Sequence, residues 1–314
     1  MQVLDTLTTT LPVILLVIVG LIIRRIGLIK PQTTNDLKKM VVNITLPLLL
    51  FKAFSTMQFE FRYLTIILLI FVTNLVVLVV STKLRFIPAL SSKFSAYLMV
   101  GFEAGMLGYA VFSSIYGETN IPKFAVVDLG QVLFVFLILI PSLEYQQSRQ
   151  LSIPQIVLFA LKTPVIIAII LGVLANWSGA YLAINTTPIA SSLLQAAEML
   201  AGLTAPLVAL IIGYELNFQP SSISKSLQTV ALRLVVWVSL ALALNAFVIR
   251  AMLGLDRIFE AAVLLMAVLP APFVIPLYLR EGEQADRDYI LNTLSLGIVV
   301  ALAASIIIKL VYNI

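Results

Sequence analysis

The chain has 314 residues, of which 61% are hydrophobic and 11% charged, and its formal net charge is +5. Soluble domains carry roughly 25% charged residues, so this composition excludes a water-soluble globule and predicts an all-α integral membrane protein in a lipid bilayer. The sequence contains no cysteine and no histidine. This excludes disulfides, thiol nucleophiles and Cys/His metal centres, and we expect no cofactor, no metal and no nucleic-acid partner.

Apolar runs separated by short polar breaks predict ten transmembrane helices. A spanning helix needs about 20 apolar residues, and ten of them leave no room for a soluble catalytic domain, so we do not expect an enzyme. Thr163 and Pro164 are typical of a helix start; residues 151–162 before them are predicted to form a short interfacial helix that ends with Lys162 at the lipid headgroups. The ten spans are 7–23, 37–54, 63–80, 94–116, 124–143, 164–183, 189–216, 227–252, 258–279 and 289–311.

The distribution of basic residues predicts the orientation. Fourteen of the 20 lysines and arginines follow odd-numbered spans, when Arg233 is counted with the loop between spans seven and eight. Cytoplasmic loops of membrane proteins are enriched in lysine and arginine. The loops after odd-numbered spans are therefore predicted to be cytoplasmic, with both termini outside the cytoplasmic membrane.

An internal repeat divides the chain into residues 1–150 and 151–314, each with five spans. Residues 43–59 and 202–218 align without gaps at an offset of 159 residues. Chance similarity between apolar segments is the alternative explanation. Because five is odd, the second half would enter the membrane from the opposite side, which is the inverted repeat of many secondary transporters. The matched pairs are Thr45 with Thr204, Pro47 with Pro206, Leu48 with Leu207, and Phe59 with Phe218.

Spans four and nine occupy equivalent positions and both contain helix breakers. Glycine releases the backbone from helical geometry and proline removes a backbone donor. The pair therefore predicts two broken helices, with half-helix N-termini near Gly108 and Pro276 that favour an anionic ligand. The alternative is that these residues merely kink packed helices. The breakers are Gly101, Gly105 and Gly108 in span four and Pro270, Pro272 and Pro276 in span nine.

Three acidic residues are predicted to lie within the membrane: Glu103 in span four, Asp128 in span five and Glu198 in span seven. Intramembrane charges are costly and indicate function, and without histidine these carboxylates are the candidates for proton or ion coupling. Local capping or pairing is the alternative for Asp128, and a hydrogen bond to a neighbouring helix is the alternative for Glu198. Lys52 is expected to extend to the outer membrane surface. Three polar residues either line a cavity or cross-link helices: Asn43, Gln131 and Asn292.

Several segments resemble the auxin efflux carrier family. Asn43, Pro47 and Phe51 match its N-x-x-x-P-x-x-x-F signature, and Ala110 departs from it where the family's fourth helix often has proline. The resemblance implies two broken helices that cross in a transport domain, beside a scaffold that often dimerises, as in sodium/proton antiporters and bile-acid symporters. It also implies transport of auxin-like or malate-like acids. Further similar residues are Pro206, Gly213 and Leu216 in span seven, and Pro270, Pro272, Pro276, Arg280 and Glu281 in span nine.

Together these observations predict a secondary transporter of small organic anions that works by alternating access, as a homodimer with proton or sodium coupling. The alternatives are a sodium/proton antiporter or sodium-coupled symporter of the same fold. A membrane enzyme would need an acidic cluster, and the run from Glu281 to Asp288 is better explained as a solvated loop. The predicted substrate-binding residues are Asn43, Thr45, Pro47, Gly105, Gly108, Thr204, Pro206, Pro272 and Pro276.

Overall fold

The computed structural model describes residues 2–146, 152–181, 188–279 and 282–312. Across these ranges the regular secondary structure is helical, without a strand. Five helices in them are long and apolar enough to cross a membrane: Arg62–Lys83, Glu118–Gln146, Pro188–Glu215, Ile223–Met252 and Gln284–Val311. The all-α membrane class predicted from composition is confirmed. The number of membrane crossings and the inverted repeat stay predictions.

Every predicted span overlaps a helix, and spans four and nine each contain an interruption. The predicted sixth span, 164–183, is shorter in the structure and ends at Trp177, while its last residues lie outside the described ranges. In chain order the helices are α1 (Gln2–Arg25), α2 (31–56), α3 (Arg62–Lys83), α4 (Ser95–Leu98), α5 (Ala104–Tyr116), α6 (Glu118–Gln146), α7 (Ile153–Leu161), α8 (Pro164–Trp177), α9 (Pro188–Glu215), α10 (Ile223–Met252), α11 (Arg257–Val268) and α12 (Gln284–Val311).

The short helix expected before the sixth span is α7, and Lys162 directly after it is exposed. The start of α8 differs from the prediction in one detail. Thr163 stands at the N-cap position with an extended backbone, but its side chain makes no capping hydrogen bond. Pro164 in the first turn is therefore the residue that favours a helix start here. Proline lacks a backbone N–H, and an N–H in the first turn has no hydrogen-bond partner within the helix.

The helices pack in two groups. In the first group α1 packs along the second half of α9, and α2 packs against α8 and the first half of α9. In the second group α3 packs on α6, while α10, α11 and α12 pack on one another and α11 also contacts α6. Helix α5 borders both groups, because it contacts α1 and α9 as well as α6 and α11.

Glycines allow the closest helix contacts within each group. A Cβ atom on Gly213 of α9 would collide with the Val17 carbonyl of α1, and one on Gly20 of α1 would collide with the Leu210 carbonyl of α9. In the second group, a Cβ on Gly130 would meet the Ile67 carbonyl. Small residues let helix backbones approach in this way inside membranes, where van der Waals packing replaces the hydrophobic effect between helices.

Candidate transport site at the crossing of two broken helices

The two interruptions lie against each other. The backbone leaves the helix at residues 99–103, between α4 and α5, and at residues 269–274, between α11 and the 3-10 turn Ile275–Tyr278. The Glu103 N–H donates to the Pro270 carbonyl at 2.9 Å. Gly101 has a φ of +64°, and a Cβ there would lie 2.6 Å from Cγ of Pro272. We call this contact between 99–103 and 269–274 the crossing.

The positions of the half-helix starts correct the expectation from sequence. Helix α5 begins at Ala104, so Gly108 lies inside it rather than at its N-terminus. A Cβ on Gly108 would come within 2.7 Å of the Phe124 ring, which makes this glycine a packing position. On the other side, Pro276 lies in a single 3-10 turn of four residues. Only α5 therefore presents a helical N-terminus of any length to the crossing.

Glu103 occupies that N-terminus. Its Oε1 accepts a hydrogen bond from the Met106 N–H at 3.1 Å, and its Oε2 accepts one from the Phe273 N–H at 2.6 Å. The side chain is buried, with 9% exposure. Because free N–H groups and the helix dipole stabilise negative charge at a helix start, the carboxylate lies where a bound anion would be most favoured. One side chain thus joins both broken segments.

Two amides from other helices bind the N–H groups of the first break. Asn74 of α3 is fully buried and its Oδ1 accepts from the Gly101 N–H at 2.8 Å. Gln131 of α6 accepts from the Phe102 N–H at 3.2 Å. Each buried backbone donor left without a partner would be costly in a lipid environment. These amides therefore stabilise a backbone shape that the helix hydrogen bonds no longer support.

Asp128 lies behind Gln131 rather than at the break itself. Its Oδ1 accepts from Nε2 of Gln131 at 2.7 Å and its Oδ2 accepts from the Tyr109 hydroxyl at 2.8 Å. With 3% exposure it is more buried than Glu103. The local pairing considered for Asp128 is thus present, and the pair Asp128–Gln131 links this carboxylate to the Phe102 backbone.

Arg233 is the residue that sequence reasoning placed wrongly. The distribution of basic residues assigns it to a cytoplasmic loop, but it lies within α10 and is 4% exposed. Its guanidinium donates to the carbonyls of Leu98, Gly101 and Leu269, at distances from 2.5 to 3.3 Å. Its position inside the predicted span 227–252 was the available signal, because a charge there needs internal partners. Without Arg233 the loops after odd-numbered spans hold thirteen basic residues, still a clear majority of the 20.

The repeated threonines share an unusual state. Thr45 ends the π-helical segment of α2, Thr204 begins the second half of α9, and both are buried to at least 99%. Neither hydroxyl has a hydrogen-bond partner within the described part of the chain. A Cβ on Gly105 would lie 3.3 Å from Leu46 and 3.9 Å from Oε1 of Glu103. Leu46, the residue after Thr45, therefore packs close to Gly105, two residues beyond Glu103.

The other predicted binding residues differ in burial. Pro47, Gly108 and Pro272 are buried, whereas Gly105, Pro206 and Pro276 are partly buried. Asn43 is exposed and donates to the Lys39 carbonyl of its own helix at 2.8 Å. Asn292 cross-links α12 to the segment before α10, since it accepts from the Gln219 N–H at 2.7 Å and donates to the Gln219 carbonyl.

Glu198 belongs to a different cluster. Its side chain is 44% exposed and lies 3.3 Å from Nζ of Lys52. Lys52 is also 3.7 Å from Glu118, the first residue of α6. Lys52 thus lies between an acid of its own helix group and an acid of the other group. The structure does not bring Glu198 together with Glu103 and Asp128.

The acidic run 281–288 is occupied by ion pairs. Lys93, just before α4, lies 2.5 Å from Glu283 and 3.5 Å from Asp286. Arg280 and Glu281, which contribute to the similarity in span nine, lie outside the described residues. Through Lys93, the described part of the run thus connects the start of the broken span four with the segment that follows the broken span nine.

Comparison with known proteins agrees with this architecture. A family model described as "Membrane transport protein" matches residues 5–309, which is nearly the whole chain. No curated protein matches the chain. Since the match spans both halves and both broken helices, the chain belongs to the membrane transport proteins of the auxin efflux carrier family.

Proposed function

We propose that this transporter is a secondary carrier of small organic anions, working by alternating access in the cytoplasmic membrane. The observation that carries the proposal is the crossing, where two non-helical segments meet beside a helix N-terminus in a buried, polar environment. Non-helical backbone at membrane depth is tolerated where it is buried in protein or lines a cavity, and such sites bind the substrate in transporters with broken helices.

The two helix groups suggest the moving parts. Helices α1, α2, α8 and α9 form a scaffold, through which the protein dimerises, and the helices around the crossing form the transport group. The halves 1–150 and 151–314 are inverted repeats, with both termini outside and the loops after odd-numbered spans in the cytoplasm. Matching burial of Thr45 and Thr204 supports the repeat, as each lies beside a helical irregularity.

Competition for two N–H groups provides the coupling step. The substrate carboxylate replaces Glu103 as the acceptor for the N–H groups of Met106 and Phe273. Protonation neutralises Glu103 and releases these donors, so that a proton and the anion enter together and leave together. The buried, unpartnered hydroxyls of Thr45 and Thr204 are further donors for the anion. Asp128 is a second proton acceptor, connected to the crossing through Gln131.

The test is flux in proteoliposomes with labelled malate and indole-3-acetate. Gradients of pH and of sodium are imposed separately on the wild type, Glu103→Gln and Glu198→Gln. We expect the wild type to accumulate an organic acid with the pH gradient, and Glu103→Gln to lose that dependence. Glu198→Gln is the matched control, because it removes an acid of the same charge from an exposed ion pair and should keep the response.

Two results would contradict the proposal. Sodium flux without movement of either acid would favour the sodium/proton antiporter that the same fold supports. An unchanged pH response in Glu103→Gln would remove Glu103 as the coupling residue and leave Asp128, the buried acid connected to the crossing through Gln131, as the next candidate.

A further inference from the structure

We infer that Arg233 is a positioning residue whose guanidinium is the resident cation of the crossing, in the place where a transporter of this architecture would otherwise bind sodium. The inference deepens the proposed function, since it concerns which ion that carrier needs. It is based on the contacts of Arg233, none of which enters the argument for Glu103.

The guanidinium lies among carbonyls at or just beyond the C-terminal ends of α4 and α11, the helices that precede the two breaks. Nη1 is 2.9 Å from the carbonyl of Leu98, the last residue of α4. Nη2 is 3.2 Å and Nε is 3.3 Å from the carbonyl of Leu269, the residue after α11. Nη2 also lies 2.5 Å from the Gly101 carbonyl. Three carbonyls from two broken segments therefore converge on one cation.

Electrostatics explains why a cation is needed there. The C-terminal end of a helix carries partial negative charge, and the C-terminus of α11 meets the carbonyls of Leu98 and Gly101 at the crossing. In transporters with broken helices, half-helix C-termini and unwound carbonyls are the groups that coordinate sodium. A guanidinium satisfies the same carbonyls with donors of fixed geometry and permanent charge.

Arg233 has no acidic partner that would explain its burial otherwise. Within the described ranges no ion pair includes Arg233. Besides the carbonyls, its guanidinium lies 5.0 Å from the centre of the Phe102 ring, which adds a cation–π contact. A buried charge without a counter-charge is costly, so the carbonyl ends must compensate it.

Trp237, one turn further along α10, allows the effect of charge to be tested separately from the effect of hydrogen bonding. Its Nε1 donates to the Met99 carbonyl at 2.7 Å, and the residue is 2% exposed. Helix α10 thus gives the first break one charged and one neutral donor. If hydrogen bonding alone mattered, an added cation would not restore function after the loss of either residue. If the positive charge matters, only the loss of Arg233 creates a need for an added cation.

The experiment compares wild type, Arg233→Gln, Arg233→Lys and Trp237→Phe in proteoliposomes, with sodium replaced by N-methyl-D-glucamine. We expect the wild type to keep its flux without sodium. Arg233→Gln should lose about tenfold or more of its flux, a change of about 1.4 kcal/mol in the barrier, and regain part of it with sodium or guanidinium ions at tens of millimolar. Arg233→Lys should transport without sodium at a reduced rate. Trp237→Phe should be less stable, but added cations should not increase its flux.

Thermal unfolding of the same variants in detergent, with and without these ions, provides a readout without substrate. Guanidinium or sodium should raise the melting temperature of Arg233→Gln and leave that of Trp237→Phe unchanged. Sodium dependence of the wild type, full activity of Arg233→Gln without added cations, or equal rescue of Trp237→Phe would each overturn the inference. If Arg233→Gln does not fold, sodium dependence of Arg233→Lys would overturn it. Absence of organic-acid flux in the wild type, with cation-dependent melting of Arg233→Gln retained, would contradict the proposed function alone.

Discussion

The two broken segments differ in the number of backbone N–H groups that need a hydrogen-bond partner. The first break, 99–103, contains a glycine with a positive φ and keeps its backbone N–H groups. The second break, 269–274, contains Pro270 and Pro272, which have no N–H to satisfy. The glycine break therefore depends on partners from distant helices, whereas the proline break removes part of the demand. We expect the first break to be the more sensitive of the two.

The largest effect is expected for Gly101→Ala. The residue must adopt a left-handed backbone, and its new Cβ would lie 2.6 Å from Pro272. Strain and overpacking together should destabilise the protein by about 2–5 kcal/mol, measured as unfolding in detergent. Gly27→Ala is the control, with a φ of +66° and open space around the Cβ. A similar loss in both variants would mean that backbone strain alone, and not the crossing, is responsible.

Asn74→Ala tests the dependence on distant partners. It leaves the buried Gly101 N–H without its acceptor, which should cost about 1–3 kcal/mol and lower the transport rate. Thr73→Ala on the same helix removes a hydroxyl that bonds only within α3 and should change unfolding far less. Equal unfolding curves for the two variants would refute the idea that Asn74 supports the break.

Pro272→Ala tests the proline side of the comparison: it adds a buried backbone N–H that the break must then satisfy, and it should cost about 1–2 kcal/mol. The substitution removes the ring that Gly101 faces, and a compatible proline mainly restricts the unfolded chain. The double variant with Gly101→Ala should recover part of the loss, with a coupling of about 0.5–3 kcal/mol. Additive losses in the four unfolding measurements would show that the two residues do not constrain each other.

The smallest effect is expected for Lys93→Gln. This substitution breaks the ion pair between the two broken helices at their ends away from the crossing. Its hydrogen bond to Glu283 raises the pKa of Lys93 above the usual 10.5. The raised pKa means that the stabilisation is present below pH 10.5 and is lost as the pH rises through the higher value. Because Lys93 is 43% exposed, we expect about 0.2–1 kcal/mol, decreasing with salt.

Lys39→Gln is the control for that pair, since Lys39 forms an ion pair with Asp36 within one helix. Unfolding at two salt concentrations should show a loss in both variants. Only Lys93→Gln should also change the transport rate, as only that pair connects the two broken helices. An unchanged transport rate in Lys93→Gln would mean that the ends of the two broken helices away from the crossing move independently.

The sequence predicts the breaks because glycine and proline act on their own backbone. Gly101 and Pro272 could be identified without a neighbour, and a carboxylate beside a break, Glu103, is a local signal. The partners could not be identified, because they depend on contacts over long separations. Arg233 binds Leu98 across 135 positions, and Glu198 pairs with Lys52 across a similar distance in the chain. A count of lysines and arginines assigns each residue to one side of the membrane from its position in the chain alone. For that reason the count places Arg233 in a loop.

The glycine contact between α1 and α9 has a mechanical consequence. Helices slide past each other when a layer of side chains between them can repack. Here the Val17 carbonyl and Gly213 meet directly, as do the Leu210 carbonyl and Gly20, so this seam has no such layer. Arg24 also fastens it by donating to the Leu216 carbonyl at 2.6 Å. We therefore expect the α1–α9 pair to move as one unit, with any sliding at the contacts that both helices make with α5 and that α1 makes with α12.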